Sequence, residues 1–169
     1  LSGVLEGEES VQIWMGANHM TAALGSDLYF TRIIDERFPD FESVIPKDND
    51  KELTVDKSLL LSAVRRVSIF SNRSTHQIAI RLTKNRIQIT TEDPEKSSKA
   101  QEEIKGEFNG DDLVIGYNAS YLKDILSHVE GDQVVIKLKT PISAALFYPA
   151  TQKEKSNLTM LLMPIRLND

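Results

Sequence analysis

The sequence predicts an α+β fold in which two amphipathic helices pack on antiparallel sheets. Two observations lead to this prediction. The order strand, helix, strand, strand, strand occurs twice in succession, first over residues 51–108 and then over residues 112–163. Both helical segments also carry apolar residues at the same offsets, so that each helix has a single apolar stripe to lay on a sheet. We therefore expect one supersecondary unit that is built twice, from two different sequences.

Three short strands are predicted before the first of these units. They are VQIWMG at 11–16, MTAAL at 20–24 and LYFTRIID at 28–35, and the last has a rough period of two. Residues 36–50 contain two prolines and little periodicity, so they are predicted to link a partial domain to a complete one. Because the chain opens LSGVLEGEES without an initiator methionine, we expect it to be an excised piece of a longer protein.

The first unit is predicted to begin with a strand, KELTV, and to continue into a helix over residues 56–70 with Asp56 as its N-cap. Three strands follow, namely QIAIRLT, RIQITTE and EEIKGEF, and a tight turn at Lys84-Asn85 joins the first two. The apolar stripe of the helix consists of Leu59, Leu60, Ala63, Val64 and Val67. Ile69 falls nearly opposite this stripe and Phe70 lies at its edge. Single exposed apolar residues are ordinary, but such a pair at a helix end is also typical of a subunit contact.

The second unit is predicted to begin with the strand DLVIGY and a helix over residues 118–129 that Asn118 caps. Its apolar stripe consists of Tyr121, Leu122, Ile125, Leu126 and Val129, and the strands QVVIKLK, SAALFY and LTMLLM follow. The chain then ends in LLMPIRLND. A terminus usually frays into polar residues unless contacts hold it. An apolar strand that is broken by Met163-Pro164 therefore indicates a terminus that is held in place and available to a ligand.

Composition restricts the function classes. The net charge of −5 argues against a protein that holds nucleic acid by bulk neutralisation of phosphates, although it does not describe any single face. The chain has no cysteine, which excludes a disulfide framework and fits a reducing cytosol. It contains no run close to the roughly 20 apolar residues of a membrane-spanning helix and no visible signal peptide.

Catalytic motifs are nearly absent from the sequence. Ser120-Tyr-Leu-Lys123 matches the S-x-x-K of serine acyltransferases, but Lys139-Thr140 is followed by Pro141 rather than glycine, and there is no S-D-N. The three histidines, His19, His76 and His128, have no metal-ligand spacing. We therefore expect no enzyme activity, no metal and no cofactor, and keep a serine acyltransferase built on Ser120 and Lys123 as the alternative from another class.

Four segments occur in a characteristic order between Phe38 and Leu167: FPDFESVIP, SIFSN, IGYNASYLKDIL and LLMPIRL. Together they resemble the beta subunit of bacterial DNA polymerase III, the sliding clamp. This resemblance implies a DNA clamp fold of repeated βαβββ units. It further implies that residues 38–169 are a complete third clamp domain and that residues 1–37 are the C-terminal remnant of the second domain.

The resemblance also implies a function. A clamp of this family is a processivity factor whose two head-to-tail subunits form a ring around duplex DNA, without sequence preference, in the bacterial cytoplasm at the nucleoid. The residues expected to face DNA are Lys57, Arg65, Arg66 and Lys123. The subunit contact would use Ile69, Phe70, Glu95, Glu102 and Glu103. Because the partner surface lies in the absent first domain, we expect that this chain alone cannot close a ring.

The resemblance finally implies a hydrophobic cleft in which linear motifs of the polymerase, the clamp loader and repair proteins dock in turn. Its expected lining is Pro39, Ser43, Val44, Asn118, Tyr121, Ile142, Ala144, Leu161, Leu162, Met163, Pro164, Ile165 and Arg166. Two departures from the family pattern are Glu42-Ser43, where relatives often have a basic pair, and the extension Asn168-Asp169. A peptide-binding adaptor that does not encircle DNA remains a further alternative.

Overall fold

The structure, a computed structural model, describes residues 10–152 and 157–167. It divides the chain into two compact units, Leu1–Asp40 and Phe41–Asp169. The division falls three residues after the predicted domain boundary at residue 37. Among the described residues, no helix has both the length and the apolar character that a membrane span requires. The extension Asn168-Asp169 lies outside the described residues.

The first unit contains a three-stranded antiparallel sheet in the order β1-β2-β3. The strands are β1 (Gln12–Met15), β2 (His19–Leu24) and β3 (Asp27–Arg32). The three predicted strands are thus confirmed, although β3 ends three residues earlier than expected. Gly25 adopts a φ of 56° in the turn between β2 and β3, a conformation that glycine takes without steric penalty.

The second unit contains both βαβββ units, as predicted. The first comprises β4 (Lys51–Asp56), α1 (Lys57–Ser68), β5 (Gln77–Thr83), β6 (Arg86–Asp93), β7 (Ser98–Lys105) and β8 (Glu107–Phe108). The second comprises β9 (Leu113–Asn118), α2 (Ala119–His128), β10 (Gln133–Leu138), β11 (Ala145–Pro149) and β12 (Met160–Leu162). Two 3-10 helices, Phe41–Val44 and Pro94–Lys96, lie in the connections.

The predicted strand EEIKGEF is divided in the structure at Gly106. β7 begins four residues earlier than expected and pairs with β6, whereas β8 pairs with β4 in the other sheet. A Cβ at Gly106 would lie 2.4 Å from Cδ1 of the buried Ile87. The chain can therefore cross closely over the core at this point because Gly106 has no side chain.

The two βαβββ units exchange their first strands, β4 and β9, between the two sheets. One sheet has the order β12-β11-β10-β4-β8 and the other β7-β6-β5-β9. β4 pairs antiparallel with β10, with Val55 opposite Val134, and β9 pairs antiparallel with β5, with Ile115 opposite Ile80. Each sheet therefore contains strands from both halves of the sequence, so neither half can complete its sheet alone.

The helices and both sheets share one apolar core. Leu60 and Val64 of α1, Leu122 and Leu126 of α2, and Phe147 of β11 are all buried in it. Two stripe residues do not follow the prediction: Leu59 is 53% exposed and Tyr121 is 64% exposed. Each is the first residue of its stripe and lies in the first turn of its helix. Each is also at the angular edge of the apolar stripe, so it does not face the core directly.

The predicted N-caps are present in both helices. The Asp56 carboxylate accepts a hydrogen bond from the Leu59 amide at 2.8 Å, and the Asn118 side-chain oxygen accepts one from the Ser120 amide at 2.8 Å. These bonds satisfy backbone donors that have no partner within the helix. The two capping residues therefore fix where α1 and α2 begin.

The C-terminal segment connects the two sheets. β12 is an edge strand of the five-stranded sheet, and the chain leaves it at Met163-Pro164. The Ile165 amide then donates a hydrogen bond of 2.9 Å to the Gly116 carbonyl on β9, the edge strand of the other sheet. The terminus is thus held at both sheets, as its apolar composition predicted.

Candidate functional site

The candidate site is the terminal segment Met163–Arg166. Contacts on both sides of Met163 hold its backbone in place, while its side chain is exposed. Leu162 is buried in β12, and Ile165 is bonded to Gly116 of β9. Met163 between them is 60% exposed, and Arg166 is also exposed. Pro164 has no backbone N–H and so cannot donate to a sheet. The segment therefore presents a flexible thioether and a cation on a backbone that the fold holds in place.

A shallow open groove of about 370 Å³ lies beside this segment. Of the residues expected in a cleft, Ile142, Ile165 and Arg166 line it. The rest of its lining, which the sequence did not predict, is Val114, Gly116, Pro141 and Leu167. The alternation of β9 could have found Val114 and Gly116, because residues two apart on a strand share a face with the predicted Asn118. An apolar groove with one arginine fits an apolar peptide that carries a negative charge.

Tyr121 and Asn118 lie at the start of α2, which packs against β12. Asn118 uses both ends of its amide within the chain: its oxygen accepts from Ser120 and Tyr121, and its nitrogen donates to the Thr75 carbonyl at 3.1 Å. The side chain of Asn118 therefore mainly positions the helix. Tyr121 is exposed and available to a ligand.

The remaining expected cleft residues differ in their surroundings. Leu162 and Ala144 are only 7% and 8% exposed, so they offer little surface to a ligand and act chiefly as core. Leu161 and Pro164 are half-buried. Ser43 and Val44 lie in the 3-10 helix at the start of the second unit, where Val44 is exposed, and Pro39 belongs to the first unit.

The predicted DNA-facing cations are mostly engaged within the chain. The Lys57 ammonium donates to the Val129 carbonyl at 2.9 Å, and the Lys123 ammonium donates to the Ser68 hydroxyl at 3.3 Å. Arg66 forms a two-pronged salt bridge with Glu102. Arg65 is exposed, and no carboxylate of the described residues pairs with it. The neutral acceptors leave the positive charges of Lys57 and Lys123 in place, whereas Glu102 offsets the charge of Arg66, so the helix face is mildly basic.

The predicted subunit contact is exposed, as helix geometry indicated. Ile69 is 76% exposed and Phe70 is 45% exposed. The Ser98 hydroxyl at the start of β7 donates to the Phe70 carbonyl at 3.1 Å. The end of α1 and the edge strand β7 therefore form one connected surface.

Two of the three acidic residues expected at that contact, Glu102 and Glu103, have partners within this chain. Glu102 pairs with Arg66, and this hydrogen-bonded cation lowers the pKa of the Glu102 carboxyl while the carboxylate raises the pKa of Arg66. Glu103 lies 3.4 Å from Arg86. Glu95, in the 3-10 helix before β7, is exposed. Any attraction of Glu102 or Glu103 to another subunit must therefore compete with a partner already present.

The catalytic alternative lacks its geometry. In an S-x-x-K pair the lysine must reach the serine hydroxyl, but the Lys123 ammonium contacts Ser68 of α1. Among the described residues, no group of three histidine, aspartate or glutamate side chains is arranged to hold a metal ion.

The twice-built βαβββ unit, with strands exchanged between two sheets and two helices on a shared core, defines the class of DNA clamp domains. A family model described as DNA polymerase III beta subunit, C-terminal domain, matches residues 42–166. The chain belongs to this family.

Individual relatives agree with this assignment. The chain is 33% identical over 162 residues to the beta sliding clamp of Pseudomonas aeruginosa, covering 96% of this chain and 43% of the relative. It is 29% identical over 161 residues to that of Escherichia coli K12, covering 95% of this chain and 43% of the relative. The chain therefore spans less than half the length of these curated relatives.

Solved structures of sliding clamps have the same fold. A Pseudomonas aeruginosa sliding clamp crystallised with a ligand superposes with a TM-score of 0.82 at 32% identity, covering 98% of this chain and 44% of that one. A Bartonella birtlesii sliding clamp bound to griselimycin gives a TM-score of 0.83 at 27% identity, covering 98% and 44%.

Proposed function

We propose that this chain is the C-terminal part of a DNA polymerase processivity factor, a ring that encircles duplex DNA and docks proteins through short peptide motifs. Its family membership and its fold support this proposal. The partners would be duplex DNA, the replicative polymerase, the clamp loader and repair proteins, in the bacterial cytoplasm at the nucleoid. The protein would work without catalysis and without a cofactor.

Encirclement explains how a protein with a net charge of −5 could act on DNA. A ring that is linked topologically to a duplex does not need tight phosphate contacts to stay bound, and tight contacts would slow its sliding. The exposed Arg65 and the internally engaged Lys57, Lys123 and Arg66 fit this requirement. A mildly basic helix face, on which Glu102 offsets one of the four cations, is thus an expected property of a sliding surface.

Peptide docking is supported by one observation above all: the terminal segment is fixed at Leu162 and Ile165 while Met163 between them stays 60% exposed. A methionine on a fixed backbone can adapt its side chain to different apolar peptides. The groove that Ile165 and Arg166 line, further along the same segment, adds apolar walls and the Arg166 cation. That clamps from two relatives carry bound griselimycin agrees with a ligand-binding surface in this family.

A titration tests the docking proposal. A labelled peptide of the Gln-x-x-Leu-Phe kind is added to the chain, and fluorescence anisotropy reports binding. We expect weak but saturable binding to the wild-type chain. Met163→Glu should weaken it by about tenfold or more, because a charge placed in an apolar contact is strongly disfavoured there. Leu161→Glu is a second variant with the same expected direction.

The control for this titration is Ile69→Glu. Ile69 is also an exposed apolar residue, but it lies at the end of α1, outside the terminal segment Met163–Arg166. Its replacement introduces the same charge and should leave peptide affinity unchanged. Equal losses in Met163→Glu and Ile69→Glu would show a nonspecific charge effect and would count against docking at the terminal segment.

A further inference from the structure

Gly116 of β9 is the point at which the terminal segment crosses the four-stranded sheet. Its carbonyl accepts the hydrogen bond from the Ile165 amide at 2.9 Å, while its other side faces Ala79 of β5. A Cβ built on Gly116 would lie 2.6 Å from the Ile165 carbonyl oxygen and 2.8 Å from Cδ2 of Leu167. These distances are shorter than atoms of real side chains tolerate.

The need for glycine here comes from this approach and not from backbone conformation. The described glycines with positive φ are Gly25 and Gly131, and Gly116 is not one of them. Any residue could therefore adopt the backbone of Gly116. Only a residue without a Cβ leaves room for the terminal segment, because the nearest obstacle is a backbone oxygen that cannot rotate away.

A side chain at position 116 would displace the terminal segment by a distance that follows from the contacts. The Ile165 oxygen would have to retreat by about 0.8 Å, the difference between 2.6 Å and the 3.4 Å at which ordinary contact begins. Leu162 is fixed in β12 only three residues earlier. The displacement would therefore fall on the intervening Met163-Pro164, of which Met163 is exposed.

We propose that Gly116 is a positioning residue for peptide docking: by lacking a side chain, it sets the path of the terminal segment and so the placement of Met163 and Pro164. This inference rests on the proposed function, because the segment it positions is the proposed docking site. Gly116 itself lines the floor of the groove beside Ile165.

The test is Gly116→Ala, with two readouts. Hydrogen exchange at the Ile165 amide reports the contact with β9, and the peptide titration reports docking. We expect faster exchange at Ile165, unchanged exchange at the paired amides of β5 and β6, and a fall in peptide affinity of about tenfold, since overpacking of a rigid contact commonly has a penalty of that size.

Gly131→Ala is the matched control. Gly131 has a φ of 81°, so alanine is strained there, but a Cβ would meet nothing within 4 Å. The control makes the same chemical change and also lowers stability, yet it should alter neither the exchange of Ile165 nor peptide affinity. A parallel loss of affinity in Gly131→Ala would show that stability alone is responsible and would overturn the proposal.

Several further outcomes are decisive. Unchanged exchange at Ile165 in Gly116→Ala, or altered exchange with unchanged affinity, would overturn the positioning role. If Gly116→Ala does not fold, exchange at the Ile165 amide of the wild-type chain is the second measurement, and an unprotected amide there would overturn the role equally. Absence of peptide binding by the wild-type chain would refute the proposed function. The exchange data would still show whether Gly116 sets the position of the terminal segment at Ile165.

Discussion

Tyr117 of β9 places a polar hydroxyl in an apolar core. The residue is 2% exposed, and its hydroxyl has no hydrogen-bond partner among the described residues. It lines a small interior cavity of about 20 Å³ together with apolar residues such as Leu60, Ile115 and Phe147. A buried hydroxyl without a partner is destabilising. Burial also raises the pKa of this phenol above its ordinary value, because the charged form would lose its hydration.

We therefore predict that Tyr117→Phe does not destabilise the protein and raises the free energy of unfolding by about 1 kcal/mol, the usual scale for removing an unsatisfied polar group. Urea denaturation at pH 7 measures this change. Tyr148→Phe, at a half-buried position in β11, is the comparison and should have a smaller effect. A loss of stability in Tyr117→Phe would show that the hydroxyl has a favourable partner.

The wild type and Tyr117→Phe should also differ in stability at alkaline pH. Since the folded state holds the pKa of Tyr117 above its ordinary value of 10.0, the unfolded state loses this proton first. Ionisation of Tyr117 therefore has no effect on the free energy of unfolding well below pH 10 and lowers it as pH rises above 10. Denaturation curves between pH 9 and pH 11 should therefore show a steeper loss in the wild type than in Tyr117→Phe.

At the scale of secondary structure, β9 supports both parts of the candidate site. Its Gly116 holds the terminal segment, and its Asn118 caps α2, which carries Tyr121. Because these two residues are two apart on one strand, a shift of β9 would move both parts together. The strand is thus the element on which the geometry of the site depends.

The two helix caps provide a prediction with an internal control. Asn118→Ala should lower the free energy of unfolding by about 1 kcal/mol, as the loss of an N-cap usually does, and should also weaken peptide binding because Tyr121 loses its fixed position. Asp56→Ala removes the corresponding cap from α1 and should lower stability similarly without affecting peptide affinity. Thermal denaturation and the peptide titration separate the two effects. Equal affinities in both variants would show that Tyr121 does not take part in docking.

At the scale of the whole molecule, the exposed surface at the end of α1 bears on whether the chain assembles with other subunits. The surface of Ile69 and Phe70 is exposed, and Glu102 and Glu103 have partners in this chain. In the proposed ring, the complementary surface would come from a domain outside the 169 residues of this chain. A subunit contact that is exposed without its complement does not by itself produce a closed assembly.

We therefore predict that the chain is monomeric at micromolar concentration. Multi-angle light scattering should give a mass near 19.0 kDa, the mass of one chain, in both the wild type and Ile69→Glu. A concentration-independent dimer would contradict this prediction. If Ile69→Glu dissociated such a dimer, the contact would join copies of this chain directly, and the ring geometry that we propose would need revision.

Local features were predictable from the sequence because they depend on neighbouring residues. The periodicity of α1 and α2 identified their buried faces, and Asp56 and Asn118 marked their first turns. The exposure of Ile69 followed from the geometry of the helix alone. The errors at Leu59 and Tyr121 occurred at stripe edges, where helical periodicity does not show how far the facing sheet extends.

By itself, the sequence determined the order of the elements, the two helices with their caps, and an apolar terminus that is held in place. Only the tertiary structure decided that β4 and β9 exchange sheets, that the strand through Gly106 divides, and that Lys57, Lys123 and Arg66 are engaged within the chain. It also identified Gly116 as the crossing point. The reason is physical: periodicity and capping act over a few residues, whereas strand pairing, ion pairs and close backbone approach join residues that are distant in sequence and leave no pattern along the chain.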